Sequence, residues 1–191
     1  MNYLHRARNF AHQAHDSIKQ TRKYTGEPYW KHTDEVADIV MDVMLPIGRK
    51  LNRNDLERAD TMIMAAHLHD VIEDVGNQLS SQISYEFGEK VLQLVWEVSD
   101  IFTAESRPGW NRAKRKEMEA NRLSTVSADA QTIKVADLIS NTASIVKHDP
   151  DFAKVYLKEK EYLLSKLTKA SPVLLDRAFK QLTEAKNKLN M

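Results

Sequence analysis

The segment Ala65 to Asp74, read AAHLHDVIED, ends an otherwise apolar stretch with two histidines and three carboxylates. Each of these groups costs free energy to bury unless something pairs with it. Neighbours in a helix differ by about 100°, so His69 and Asp70 converge on one point only near a helix end. Glu73 and Asp74, three to five residues on, return to the same side of a continuing turn. Crowded carboxylates raise one another's pKa unless a cation compensates, and a divalent metal is the simplest compensator. Two distant polar residues in core-like settings offer to complete such a shell. His32 follows GEPYWK, and Asp137 sits within the apolar IKVADLISN.

Two imidazoles and two carboxylates form a mixed nitrogen and oxygen set that suits Mn, Fe, Zn or Co better than Ca. A single such ion lowers the pKa of bound water, which makes hydrolysis the natural chemistry. Glu73 and Asp74 then become candidates to position the water, accept its proton or donate to a leaving group. Taken singly, His32 reads as an ordinary core or surface histidine, and Asp137 as an i,i+3 partner of Lys134.

The elements that must position these residues read as helices. Five Gly and five Pro are scattered through 191 residues, and the intervals carry apolar residues at three- and four-residue spacing. The pattern predicts an all-α protein. Asn2 caps a first helix whose Leu4, Ala7, Ala11, Ala14 and Ile18 form one stripe, ending near Thr25-Gly26-Glu27-Pro28. A second helix is expected from Lys31 to Met44. A third runs from Asn54 through the histidine segment until Gly76 stops it. Ser80 or Ser81 caps a short helix to Phe87, and Glu89 to Asp100 forms another. Ile101 to Trp110 reads as a loop and Asn111 to Ser127 as a strongly charged segment. A helix from Ser127 to His148 precedes two more, at 152 to 169 and 172 to 189. No repeat, low-complexity run or linker marks a boundary, so a single domain over 1–191 is expected.

Composition narrows the classes of function. With 28 Lys plus Arg against 27 Asp plus Glu, a net charge of +1 supplies no broad field for a nucleic acid polymer or an anionic membrane. An anionic ligand must therefore be captured locally. The absence of cysteine excludes disulfides and thiolate metal sites. No secretory signal or membrane-spanning run is read, and the expected location is cytoplasmic. Exposed helical stripes leave room for a homodimer.

The order His32, His69-Asp70, Asp137 resembles the HD-domain superfamily of helical metal-dependent phosphohydrolases. RKYTGEPYWKH, AAHLHDVIED, YEFGEKVLQLVWEVSD and IKVADLISN resemble successive motifs of the hydrolase domain of RelA/SpoT proteins and its small stand-alone relatives, over roughly residues 5 to 166. The resemblance implies a bundle of roughly eight to ten helices around a metal site, with the C-terminal helix packed on it. It implies removal of the 3′-pyrophosphate from ppGpp or pppGpp, leaving GDP or GTP. By position, it makes His32, His69, Asp70 and Asp137 ligands of a divalent metal, commonly Mn2+, and Glu73-Asp74 the catalytic pair. Arg22 and Lys23 match a basic pair against the nucleotide, while Lys134, Asn141 and Tyr156 match the ribose and phosphate pocket. Arg115 and Lys116 fall where a further basic pair lies near the pyrophosphate.

Other readings accompany these. Charge at a helix end would itself account for Arg22-Lys23 through the helix dipole. Arg115-Lys116, within the charged run RAKRKEMEANR, reads as a solvated face ahead of a phosphate clamp, and His67 as part of the site's wall. His5, His12 and His15 fall at exposed or boundary positions, and Trp30, Trp96 and Trp110 read as packing residues. The sequence departs from the family's habit at Thr33 after His32, at Leu138 after Asp137 and at Ser140. Two alternatives to an alarmone hydrolase are an HD phosphohydrolase of another nucleotide or 3′-phosphorylated cofactor, and a catalytically silent nucleotide sensor.

Overall fold

The computed structural model describes residues 3–48 and 50–191. Asn2, expected to cap the first helix, lies outside them. The described residues form nine α-helices and no strand, with one isolated antiparallel bridge between Thr21 and Pro28. In order these are α1 (Tyr3–Ser17), α2 (Trp30–Met44), α3 (Arg53–Leu68), α4 (Ser80–Phe87), α5 (Glu89–Val98), α6 (Arg112–Leu123), α7 (Ala128–His148), α8 (Pro150–Lys166) and α9 (Pro172–Lys188). None is long and apolar enough to cross a membrane. They gather into two compact units, one ending at Ser99 and one running from Asp100 to Met191.

In the first unit α3 is the central helix, with α1, α2 and α5 packed against it. Every residue from Met62 to Leu68 is buried. A helix that is apolar all round must be covered on every side, and each fully buried Ile63 or Leu68 contributes roughly 1.5–3 kcal/mol. The covering face of α1 is Ala7, Ala11 and Ala14, small residues that let the helices approach closely. The cap of α3 lies two residues earlier than expected at Asn54, and the helix starts at Arg53. Asn52 is the cap instead, its side chain accepting from Asp55 N at 2.9 Å while Asp55 answers to Asn52 N, a reciprocal capping box.

Nor does α3 run unbroken to Gly76. The α-helix ends at Leu68, and Val71–Val75 form a wider π-type turn closed by Gly76 N on Val71 O at 3.2 Å. Such turns occur frequently at functional sites. Ser80 does not cap α4; its hydroxyl donates back to Asn77 O. The helix from Glu89 stops at Val98 rather than Asp100, because Ser99 adopts an extended backbone.

In the second unit α7 and α9, α7 and α8, and α8 and α9 pack pairwise, with α6 on α8. Three of its helices carry side-chain caps: Asn111 accepts from Lys114 N, Ser127 from Ala130 N and Asp149 from Phe152 N, so that Asp149, expected only to stop α7, also opens α8. The last two helices begin at Pro150 and Pro172, where a missing N–H costs nothing. Lys160 on α8 is almost fully buried, and its ammonium donates to Thr142 of α7 and Gln181 of α9, each at 2.8 Å. Gln181 in turn donates to Ile139 O at 3.0 Å.

Candidate metal and hydrolytic site

His32 lies in the first turn of α2, and His69-Asp70 occupy the junction where α3 gives way to the π turn. One ligand-type atom from each falls within 4.8 Å of the others. Both imidazole Nε2 atoms face the same oxygen, Asp70 Oδ2, at 3.7 Å from His32 and 3.0 Å from His69. All three side chains are enclosed, the histidines almost completely. His69 Nδ1 stands 2.8 Å from Ala66 O. A carbonyl only accepts, so the ring proton is on Nδ1 and the Nε2 lone pair points into the cluster, the tautomer a metal ligand requires. Tyr29 donates its hydroxyl to Asp70 Oδ2 at 2.6 Å. Burial opposes ionisation of Asp70, but His69 and His32 when protonated, whose place a bound cation would take, and the Tyr29 bond outweigh it and hold the carboxyl below the usual range. Donors of an ion bound at about 2.1 Å stand roughly 3 to 3.5 Å apart, and the observed separations bracket that. The donor set therefore fits a divalent cation.

Glu73 and Asp74 ride on the π turn, both open to solvent. The Asp74 carboxyl is nonetheless crowded by protein atoms and lies near the charge of Asp70, which together push it up to about 6. Its Oδ2 accepts from Gln20 Nε2 at 2.9 Å, and Gln20 Oε1 takes the Nδ1 proton of His15 at 2.7 Å. His15 is fully buried, contrary to its reading as an exposed or boundary residue. Gln20 and Tyr29 share one structure: Tyr29 N donates to Gln20 O, and Arg22 N to Glu27 O, closing residues 20–29 into a narrow loop. The base of this loop thus touches Asp74 through Gln20 and Asp70 through Tyr29. Tyr29 lies within the RKYTGEPYWKH segment, where the resemblance assigns it no role, and Gln20 carries no sequence signal.

Arg22 and Lys23 sit in that loop, past the end of α1 at Ser17. The helix-dipole explanation for them fails, because the dipole acts within the last turn. Lys23 Nζ lies over the Tyr24 ring at 4.8 Å. His67 turns from the cluster to Asp34, its Nδ1 3.3 Å from Asp34 Oδ1, where His12 and Arg8 also bind. Burial resists the charge on Asp34, but these three partners hold its carboxyl low.

In the second unit Lys134, Asp137 and Asn141 share one face of α7. Lys134 Nζ lies 3.2 Å from Asp137 Oδ2, the i,i+3 pairing expected from spacing, and Asn141 donates to Asp137 Oδ1 at 2.5 Å. Tyr156 of α8 is turned to the α7 backbone, near Leu138 O at 3.4 Å and Thr142 Oγ1 at 3.3 Å; burial raises its hydroxyl well above the usual range. Arg115 and Lys116 are not a solvated face. Arg115 donates to Trp110 O, and Lys116 reaches Asp100 Oδ2 at 2.8 Å. Asp100, expected only as the end of a helix, also stands 3.3 Å from Lys134 Nζ. Trp30 stacks on His12 and Trp110 on Phe102, while Trp96 is 42% exposed.

The family model for the HD domain matches residues 7–170. The chain is 28% identical over 147 residues to the guanosine-3′,5′-bis(diphosphate) 3′-pyrophosphohydrolase MESH1 of Xenopus tropicalis, covering 76% of this chain and 70% of that protein. It is 32% identical over 143 residues to a probable GTP pyrophosphokinase of Mycobacterium leprae, covering 74% of this chain and 16% of the relative. With the probable chloroplastic GTP diphosphokinase RSH3 of Arabidopsis thaliana it shares 28% over 158 residues, covering 78% of this chain and 19% of the relative. The chain thus spans less than a fifth of the length of those two synthetase-type relatives. Its fold matches the solved structure of a metazoan ortholog of SpoT that hydrolyzes ppGpp, with a TM-score of 0.74 and 23% identity over 98% of this chain and 96% of that one.

Proposed function

The chain belongs to the HD domain family, and from that premise we propose that it is a metal-dependent phosphohydrolase acting on ppGpp, releasing pyrophosphate from the 3′ position and leaving GDP. The observation that carries the proposal is the convergence of His32 and His69 Nε2 on Asp70 Oδ2 beside the turn that bears Glu73 and Asp74. The relative of matching length, MESH1, is named for this reaction, and this chain covers 70% of it.

His32, His69 and Asp70 would hold the cation, Mn2+ in our proposal, and Asp137 is assigned as a fourth ligand from its sequence position. When bound, the ion supplies Lewis acidity and lowers the pKa of water. The chain's own residues do the rest. Asp74, whose Oδ2 is engaged by Gln20, is left with Oδ1 to carry a proton near neutral pH, and with Glu73 it handles the protons of the attacking water and the departing 3′ oxygen. Arg22 is proposed to stack on the base and, with Lys23, to meet phosphate oxygens. Lys134, Asn141, Tyr156, Arg115 and Lys116 are proposed to line the ribose and pyrophosphate.

The test is incubation of chelator-stripped protein with ppGpp, with and without Mn2+, followed by anion-exchange chromatography. Metal-dependent GDP and pyrophosphate are expected. Intact ppGpp under Mn2+ overturns the substrate assignment. In that case release of inorganic phosphate from a nucleoside monophosphate would identify a different nucleotide hydrolase, and tight ppGpp binding without turnover a sensor.

A further inference from the structure

Two lysines from different helices meet one carboxylate at Asp100. Lys116 of α6 approaches Oδ2 at 2.8 Å, and Lys134 of α7 approaches Oδ1 at 3.3 Å. The carboxylate stands on fixed backbone. On its N-terminal side Ser99 caps α5, its N–H and its hydroxyl both bonded to Val95 O. On its C-terminal side the N–H groups of Ile101 and Phe102 donate to Glu119 Oε2 at 3.0 and 3.1 Å, and Glu119 is buried on α6 and paired with Arg122. Asp100 is thus placed by the chain around it, and the flexible lysines come to it. Burial opposes its ionisation, yet Lys134 and Lys116 keep it a carboxylate.

An ammonium on a four-carbon stem is a poor fixed point: its rotamer freedom must be lost before it can meet a ligand. A shared carboxylate removes that freedom in advance. Each ammonium has three donors; Lys116 gives one to Asp100 Oδ2, while Lys134 is held by ion pairs to both Asp100 Oδ1 and, at 3.2 Å, Asp137 Oδ2.

We infer that Asp100 is a positioning residue that gathers Lys116 and Lys134 into a two-ammonium cradle for a phosphate group of the substrate. The inference rests on the phosphohydrolase reading, and it gives a role to the last residue of the YEFGEKVLQLVWEVSD segment, to which the resemblance assigns none. Asp100 acts through the lysines and is not itself a ligand of the anion, which its charge would repel.

That repulsion makes the test sharp. If Asp100 only balanced charge, Asp100→Asn would tighten anion binding; if it positions the lysines, the same variant weakens it. With the Mn2+-loaded full chain and inorganic pyrophosphate as probe in calorimetry, Asp100→Asn is expected to raise Kd by about fivefold to tenfold. KM for ppGpp should rise by a similar factor with kcat within about threefold, and Asp100→Glu should recover most of the loss. Lys116→Met should weaken pyrophosphate on its own, and combining it with Asp100→Asn should cost less than the product of the two effects. Unchanged or tighter pyrophosphate binding in Asp100→Asn, additive effects in the double variant, or a parent protein that binds no pyrophosphate overturns the inference. Should Asp100→Asn fail to fold by circular dichroism, an unchanged Kd in Lys116→Met overturns it equally. A parent that leaves ppGpp intact yet shows the expected pyrophosphate pattern refutes the substrate assignment while upholding the cradle.

Discussion

Tyr29 donates its hydroxyl to the same oxygen of Asp70 that both imidazoles face, at 2.6 Å. A loop residue therefore sets the orientation of a carboxylate at the end of α3. Support of this kind is worth 10- to 100-fold in metal affinity at sites of this type. Tyr29→Phe should weaken Mn2+ binding within that range in calorimetry while the fold stays intact, whereas His69→Ala or Asp70→Ala should abolish metal binding and activity together. Tyr29→Phe with parental affinity would remove the hydroxyl from the site.

Glu73 and Asp74 should separate from the ligands kinetically. Glu73→Gln keeps size and hydrogen bonding but loses the charge, and should lower kcat by roughly 10²- to 10⁴-fold with metal content unchanged by elemental analysis. Gln20→Met frees Asp74 Oδ2 and strands the buried His15 Nδ1 proton, so a smaller fall in kcat, with the metal retained, is expected. Loss of metal in both variants would mean that the turn holds the ion rather than the proton.

What was legible in the sequence, and what was not, follows from range. The boundaries at Ser127 and at Asp149-Pro150 are legible because each is set within three residues, Ser127 accepting from Ala130 N and Asp149 from Phe152 N. Asn52 and Asn54 are both good caps; only the reciprocal bond with Asp55 chooses between them. The His69-Asp70 corner was visible because both residues share one helix end, and its link to His32 came through a known motif order. The roles of Gln20 and Asp100 are not legible because each acts through a side chain far along the chain: Asp74 is 54 residues from Gln20, and Lys134 is likewise remote from Asp100. The π turn was invisible for another reason, since nothing in VIED distinguishes a wide turn from continued α-helix until tertiary packing is in place.

Gly76 ends that turn at φ 135° and ψ 153°, a backbone region open to glycine alone. A Cβ there would collide with the Gln78 side chain, which can move, but the backbone strain cannot be relieved without reshaping the turn. Gly76→Ala should cost on the order of 1–3 kcal/mol in urea unfolding. It should reduce kcat more than this loss of stability explains, because Gly76 N closes the turn on Val71 O and so sets where Glu73 and Asp74 stand. A variant as active as the parent would show that the turn tolerates reshaping.

Lys160 gives the sharpest pH prediction. Burial lowers its ammonium from the usual 10.5 to about 7, and its bonds are to the neutral Thr142 and Gln181. Between about pH 7 and 10.5 the unfolded chain binds a proton at this side chain that the folded chain does not. Stability at this group therefore rises with pH across that window, and the penalty is complete below about pH 7, at up to roughly 4 to 5 kcal/mol. Lys160→Met removes the penalty but leaves Gln181 Oε1 without its donor, a cost of about 1–3 kcal/mol. The variant should accordingly be more stable than the parent at pH 6, less stable at pH 10, and nearly flat between, with the curves crossing inside the window. Urea unfolding at pH 6, 8 and 10 reads this directly, and parallel curves for parent and variant would mean that Lys160 keeps its proton when folded.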